Sequence, residues 1–164
     1  MAVLGLARTT GNKKLNAVLR KLENYDFEPI TRSCSARYGW APKKARKVEL
    51  EAKRFFSFAF LDPGHYHIPE EDVDEYWHRM ILHTQWYQKF CMKMFGDYYH
   101  HTPEPDKDLV SKENRMRSLR LIEHWYGYPW QDLVKTCTQC RGPYKPRTKV
   151  ARELAPSKEA RMKD

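Results

Sequence analysis

The sequence predicts an all-α fold, a compact bundle of four to five helices with irregular loops and a basic C-terminal arm. Apolar residues recur at spacings of three and four in several long segments, as on the buried face of a helix. Proline and glycine stand mainly where these segments begin or end. At 164 residues, the chain is long enough to bury a core without disulfides. We therefore expect a single helical domain over residues 1–140 and an extended or disordered tail over residues 141–164.

The first third of the chain is predicted to contain two helices and an irregular connection. Residues 12–24 carry leucine and valine on one face, and Asn12 is a suitable N-cap. Residues 25–41 lack this periodicity and are interpreted as a packed linker, with a basic recognition loop as the alternative. The next helix begins at Pro42, because proline is favoured in a first turn, and runs to about Leu61. Its apolar stripe widens towards the end, which predicts deep burial.

A third helix is predicted to open with Pro69, Glu70 and Glu71 and to run to about Phe95, with a break near His83 and Thr84 as the alternative. Glycine at position 96 suits its C-terminal cap. A fourth helix is expected to begin near Ser111 and to end at Gly127. The third helix has a regular core-facing seam, which consists of Val73, Trp77, Met80, Thr84, Tyr87, Cys91 and Phe95.

Positive charge is concentrated in two places along the chain. The net charge is +9 and the sequence pI is about 9.4, a balance that favours an anionic partner. We expect a nucleic acid or a larger assembly, such as a phage particle or another nucleoprotein complex. The sequence contains no known motif for reading specific DNA and no apolar run long enough for a membrane helix. The predicted anion-contacting residues are Lys43, Lys44, Arg46, Lys47, Arg141, Lys145, Arg147, Lys149 and Arg152.

The start of the chain has too short an apolar stretch for a secretion signal. We therefore expect a soluble protein in the cytoplasm or associated with a virion, with reduced cysteines. Cys137 and Cys140 form a single CxxC motif, which is a weak zinc signal because a closed structural site needs four ligands. A structural, a redox and an inert role for this motif all remain open. His65 and His67 form an HxH pair in a predicted loop, where two solvent-facing histidines are commoner than a metal site.

The strongest chemical signal is a group of histidine and aspartate residues around the third helix. Asp74 and His78 are four positions apart and share one helix face, whereas His83 is five positions from His78 and cannot join them on an unbroken helix. His100 and His101 follow the helix end, and on an extended segment at most one of them faces back. Two histidines and one carboxylate could bind iron or zinc.

Other interpretations of this group remain open. A histidine beside an aspartate is often a satisfied polar pair in an aromatic core, which makes the protein a purely structural module without a metal. A metal-dependent enzyme with a non-haem iron or zinc centre is a further alternative, although the sequence names no substrate. A non-catalytic interaction module whose polar group binds a metal or locks the core is the interpretation we favour.

Residues 51–104 also carry a dense pattern, with Asp74, Trp77 and His78 followed by Tyr87, Phe90 and Cys91 and then by His100, His101 and Pro103. This pattern resembles the glycine-rich domain-containing protein-like family, including its small bacterial and phage-type members. The resemblance implies that Asp74, His78, His100 and His101 belong together, and it implies no settled activity. The chain lacks a glycine-rich domain, and Met80 and His83 depart from the pattern. The matching residues are Asp74, Trp77, His78, Ile81, Leu82, Thr84, Tyr87, Phe90, Cys91, Phe95, Gly96, His100, His101 and Pro103.

Overall fold

The all-α class is confirmed. The structure, a computed structural model, describes residues 3–8, 10–103, 109–127 and 140–141, with the backbone alone at residues 3, 102–103, 109–112 and 140–141. These residues contain six α-helices rather than four or five, together with a 3-10 helix (Val3–Gly5) and two short strands. The predicted tail lies outside the described residues, apart from Arg141. The elements are α1 (Lys13–Glu23), α2 (Glu28–Tyr38), α3 (Pro42–Leu61), α4 (Glu71–Leu82), α5 (Thr84–Phe95), α6 (Leu109–Tyr126), β1 (Thr102–Pro103) and β2 (Cys140–Arg141).

The additional helix is α2, which occupies most of the segment that we expected to be irregular. Proline at position 29 lies in its first turn, and Gly39 ends it in the left-handed conformation with φ of 66°. The helix buries only Ile30, Thr31 and Cys34, so its apolar face is narrow. The prediction was wrong because such a narrow face leaves little periodic signal in the sequence.

Helix α3 lies at the centre of the molecule, where it packs against α1, α2 and α4. Every residue from Lys53 to Phe60 is buried, as the widening apolar stripe predicted. The two charged side chains in this stretch are satisfied by partners. The ammonium group of Lys53 lies 3.0 Å from Glu49, and the guanidinium of Arg54 lies 2.9 Å from Glu51.

The predicted third helix is broken at His83 into α4 and α5, as in the alternative interpretation. The His83 imidazole lies 3.0 Å from the hydroxyl of Ser33, which attaches the break to α2. Thr84 is the first residue of α5, directly after the break, and it is exposed instead of continuing the core seam. The other seam residues are buried, namely Val73, Trp77, Met80, Tyr87, Cys91 and Phe95.

The segment after α5 returns towards α4 and places the candidate site. Gly96 ends α5 in the left-handed conformation, with φ of 73°. The Tyr99 ring is then buried between Phe95 and Trp77, with ring centroids 4.6 Å and 5.6 Å away. Strand β1 follows and pairs in antiparallel fashion with β2. The residues around Tyr99 are therefore held against α4 by aromatic packing.

Helix α6 packs over the C-terminal part of α3. It begins at Leu109, two residues before the predicted start, and it buries Ser118, Leu119 and Tyr126. The Tyr126 hydroxyl forms a hydrogen bond of 2.6 Å with Ser57 on α3. None of the described helices is both long and apolar enough to cross a lipid bilayer.

Candidate metal centre

Helix α4 supplies two of the three residues of the candidate site. Asp74 lies in its first turn, where the positive end of the helix dipole stabilises a carboxylate. His78 follows one turn later on the same face, and its Nδ1 lies 3.4 Å from the Asp74 Oδ2 atom. Asp74 is buried, whereas the His78 side chain is 42% exposed.

The returning segment supplies the third residue, His101. Its Nε2 lies 2.9 Å from the Oδ1 atom of Asp74, on the carboxylate oxygen that does not face His78. The two imidazole rings lie near each other, with centroids 4.6 Å apart. Asp74, His78 and His101 each offer one ligand atom, and all three atoms lie within 4.8 Å of one another. We call these three residues the Asp74 group.

The ring of His101 is fixed by its surroundings. It packs edge-on against the Trp77 indole at a centroid distance of 4.5 Å, and its side chain is only 5% exposed. The Trp77 Nε1 donates a hydrogen bond of 2.8 Å to Tyr87, whose hydroxyl donates to the carbonyl of Tyr99 two residues before His101. The site is therefore rigid and buried on the His101 side and open to solvent on the His78 side.

The spacing of the Asp74 group suits a small divalent ion. Two imidazoles and one carboxylate are ligands for zinc and for non-haem iron(II). Bonds of about 2.1 Å at tetrahedral or octahedral angles place ligand atoms roughly 3.0–3.4 Å apart. The two contacts to Asp74, at 2.9 Å and 3.4 Å, already lie close to this range. These two contacts reach different oxygens of Asp74, and the three ligand atoms lie within 4.8 Å of one another, so they would have to move closer together to share one ion.

The structure does not place His100 in the Asp74 group. Its ring is exposed and faces Tyr98, at a centroid distance of 4.8 Å. Neighbouring side chains on an extended segment point to opposite sides, so only His101 reaches α4. His83 also lies elsewhere, beside Ser33 on α2.

The two cysteines whose side chains the structure describes do not belong to the Asp74 group. Cys34 and Cys91 are buried free thiols. Burial raises the pKa of Cys34 to about 12 and that of Cys91 to about 11, which makes both poor thiolate donors. Of the CxxC pair, Cys137 lies outside the described residues and Cys140 is described by its backbone in β2.

The HxH pair belongs to a separate polar cluster that sequence analysis missed. His67 is 3% exposed and bonds to Asp62 at 2.9 Å, and His65 lies 3.1 Å from the same carboxylate. Arg117 on α6 donates two hydrogen bonds to Asp62 from 55 positions away. Burial alone would raise the pKa of Asp62, but the bonds from Arg117 and His67 outweigh it and lower this pKa below its ordinary value. In the sequence, this cluster is indicated by the run Asp-Pro-Gly-His-Tyr-His. Its arginine partner, Arg117, lies too far along the chain to be inferred.

The predicted basic surface is described only at the start of α3. Lys43, Lys44, Arg46 and Lys47 are all exposed there. Lys44 is partly neutralised, since its ammonium lies 3.0 Å from Asp72 and 5.0 Å from the centre of the Trp40 ring. The side chains of the predicted C-terminal anion contacts lie outside the described part of the chain, namely Arg141, Lys145, Arg147, Lys149 and Arg152.

Comparison with known proteins corrects the family expected from the sequence. A family model described as UCP032817-like matches residues 18–139, and nothing points to a glycine-rich domain-containing family. No curated protein and no solved structure gives a match. Several residues on which the expected resemblance was based, such as Trp77, Tyr87 and Gly96, are core or helix-cap residues. Packing selects such residues in many helical proteins, so they identify a family poorly. The match covers more than half of the chain, which therefore belongs to the UCP032817-like family.

Proposed function

We propose that this protein is a helical metal-binding module whose ion, zinc or iron(II), is held by Asp74, His78 and His101. The observation that carries this proposal is the Asp74 group itself, with three ligand atoms of suitable chemistry within 4.8 Å of one another. Two ligands lie on α4 and the third on the segment after α5. An ion at this position would therefore join the two parts of the chain.

The surroundings of the group support binding by a preorganised site. Asp74 and His101 are held in a buried environment, and the Trp77 ring limits the orientation of His101. Ligands that are fixed before binding lose little conformational entropy when an ion enters. The Asp74 carboxylate is hydrogen-bonded to His101. A bound metal ion would take the place of the proton in the hydrogen bond between the Asp74 carboxylate and the His101 imidazole.

The test is the metal content of protein purified without a histidine tag. We expect about one equivalent of zinc or iron per chain, with binding confirmed by calorimetric titration of the chelator-treated protein. His101→Ala should abolish binding, whereas His100→Ala should leave it unchanged. The two variants remove the same type of side chain from adjacent positions. Less than about a tenth of an equivalent, or equal behaviour of the two variants, would refute the proposal.

A metal-dependent enzyme is the second function to consider, and the exposure of His78 favours it. The His78 side chain is 42% exposed, so a coordination position on its side is within reach of water. Cobalt-substituted protein tests this alternative by its visible spectrum. A change of that spectrum on addition of azide would show an open position, as an enzyme requires. An unchanged spectrum would favour the non-catalytic module.

We further propose that the exposed start of α3 contacts an anionic partner such as nucleic acid, as part of a cellular or viral nucleoprotein assembly. The net charge of +9 and the exposure of Lys43, Arg46 and Lys47 support this. A fluorescent RNA or DNA oligomer is the direct probe. Replacing these three residues by glutamine should weaken binding and flatten its salt dependence, whereas replacing Lys13, Lys14 and Arg20 on α1 should have less effect. An unchanged salt slope would reject this role.

A further inference from the structure

A second concave site lies between α6 and the loop that follows α3. Its cavity has a volume of about 530 Å³ and is open to solvent on one side. None of the lining residues belongs to the Asp74 group. His65 from the loop forms one wall, and α6 contributes Glu113, Asn114, Arg117, Arg120 and His124. We call this cavity the α6 pocket.

Hydrogen-bond donors dominate the polar lining of the α6 pocket. Arg117, Arg120 and His124 recur at spacings of three and four, so they line the same face of α6. Among the described residues Arg120 has no hydrogen bond or ion pair, and it is exposed. Glu113 is the acidic residue of this lining, and water screens its exposed carboxylate. The pocket thus presents donors that lack protein acceptors.

The Asp62 carboxylate holds two of these donor groups in place from outside the lining. Arg117 uses Nε and Nη2 to bind Asp62, so its Nη1 keeps its donors for another acceptor. His65 approaches the same carboxylate through Nδ1, at 3.1 Å, and keeps Nε2 for another contact. These bonds fix the guanidinium and the imidazole before any ligand arrives.

Asn114 lies at the wall of the α6 pocket, but its amide nitrogen is closed off from the open part of the cavity. Its side-chain Nδ2 is a buried donor without a hydrogen-bond partner in the described part of the chain. A buried amide donor without an acceptor is unfavourable and rare in folded proteins. The donors that a ligand in the pocket can reach are therefore those of Arg117 and Arg120.

We propose that the α6 pocket binds a small oxyanion, the phosphate or carboxylate group of a low-molecular-weight ligand. Oxygen acceptors of such groups match the guanidinium of Arg120 and the remaining donors of Arg117. The formal charges of the pocket nearly balance, because Asp62 pairs with Arg117 and the lining holds Glu113 as well as Arg120. Recognition therefore depends on directed hydrogen bonds more than on net charge. The proposal does not depend on metal binding by the Asp74 group.

Calorimetric titration with inorganic phosphate and with citrate, against chloride at matched ionic strength, tests this proposal. We expect saturable binding of at least one of the two anions, and the tighter one assigns the phosphate or the carboxylate class. Arg120→Gln should weaken binding at least about tenfold, because hydrogen bonds to charged groups are the strong ones. Arg20→Gln on α1 is the matched control and should bind like the wild type. Asp74→Asn should also retain binding, which separates the pocket from the candidate metal centre.

The melting temperature separates binding from folding. Arg120→Gln should melt like the wild type, because Arg120 is exposed. A loss of anion binding by this variant is then not a loss of folding. The proposal is overturned if neither anion binds, or if Arg120→Gln binds as tightly as the wild type.

Discussion

The indole nitrogen of Trp77 donates a hydrogen bond of 2.8 Å to the hydroxyl of Tyr87, which joins α4 to α5 across the break at His83. Both side chains are fully buried. The Tyr87 hydroxyl in turn donates to the carbonyl of Tyr99. One phenol therefore connects two helices with the segment that carries His101.

Tyr87→Phe should lower the free energy of unfolding by about 1–3 kcal/mol, since it leaves the buried Trp77 donor and the Tyr99 carbonyl unpaired. It should also weaken metal binding, because the segment before His101 loses its attachment. Urea denaturation and zinc titration measure the two effects. Tyr98→Phe is the control, since that side chain is exposed, and it should change neither quantity.

Asp74→Asn should reduce metal affinity by more than the roughly ten- to hundredfold loss that changes outside the ligand shell produce. The variant keeps the shape of the side chain but removes the charge that balances a divalent ion. Asp72→Asn provides the comparison, because Asp72 lies in the same first turn of α4 and pairs with Lys44 at the surface. Similar affinities for the two variants would show that the Asp74 carboxylate is not a ligand.

His67 should make the protein less stable as the pH falls below neutrality. Burial lowers the pKa of His67 from its ordinary 6.5, despite the opposing contact with Asp62. Its contribution to stability is therefore complete above pH 6.5 and is lost as the pH falls towards the folded-state pKa. His67→Gln should flatten the pH dependence of the urea midpoint between pH 8 and about 5.5, relative to His65→Gln. Parallel profiles for the two variants would contradict the assignment.

Glu70, in contrast to His67, should make the protein less stable as the pH rises. Burial, together with the nearby charge of Glu51, raises the pKa of Glu70 from 4.5 to about 7. The folded protein therefore holds a proton that the unfolded chain releases, so this contribution is present at low pH and is lost as the pH rises to about 7.

Glu70→Gln should make the protein more stable than the wild type at pH 8 and nearly equal to it at about pH 5, where the carboxyl group is protonated. The Glu70 side chain makes no capping hydrogen bond, so no helix cap is lost. Glu71→Gln, at the exposed neighbouring position, is the control for the change of net charge. A uniform shift at both pH values would contradict the expected titration of Glu70.

Local sequence patterns were sufficient to predict most helices and part of the candidate site. Asn12 accepts hydrogen bonds from the backbone amides of Lys14 and Leu15, as its N-cap position indicated. The four-residue spacing placed Asp74 and His78 on one face of α4. Both inferences use residues that are close in sequence, where helix geometry fixes the distance.

Features that depend on distant contacts were not predictable in the same way. The choice of His101 over His100 is made by the packing of Tyr99 after α5, and the bond from Arg117 to Asp62 spans 55 positions. The exposure of Thr84 depends on a break that neither proline nor glycine marks. Tertiary packing decides these features, and a single sequence does not contain a direct signal for it.

The division of the Asp74 group between α4 and the segment after α5 has a kinetic consequence. Asp74 and His101 are 27 positions apart, so their contact forms only after α4, α5 and the returning segment have assembled. An ion bound by both residues would stabilise the native state without stabilising the earlier transition state. Saturating zinc should therefore slow unfolding and leave the folding rate almost unchanged. In the folded protein, the segment around His101 could then open no faster than the ion dissociates.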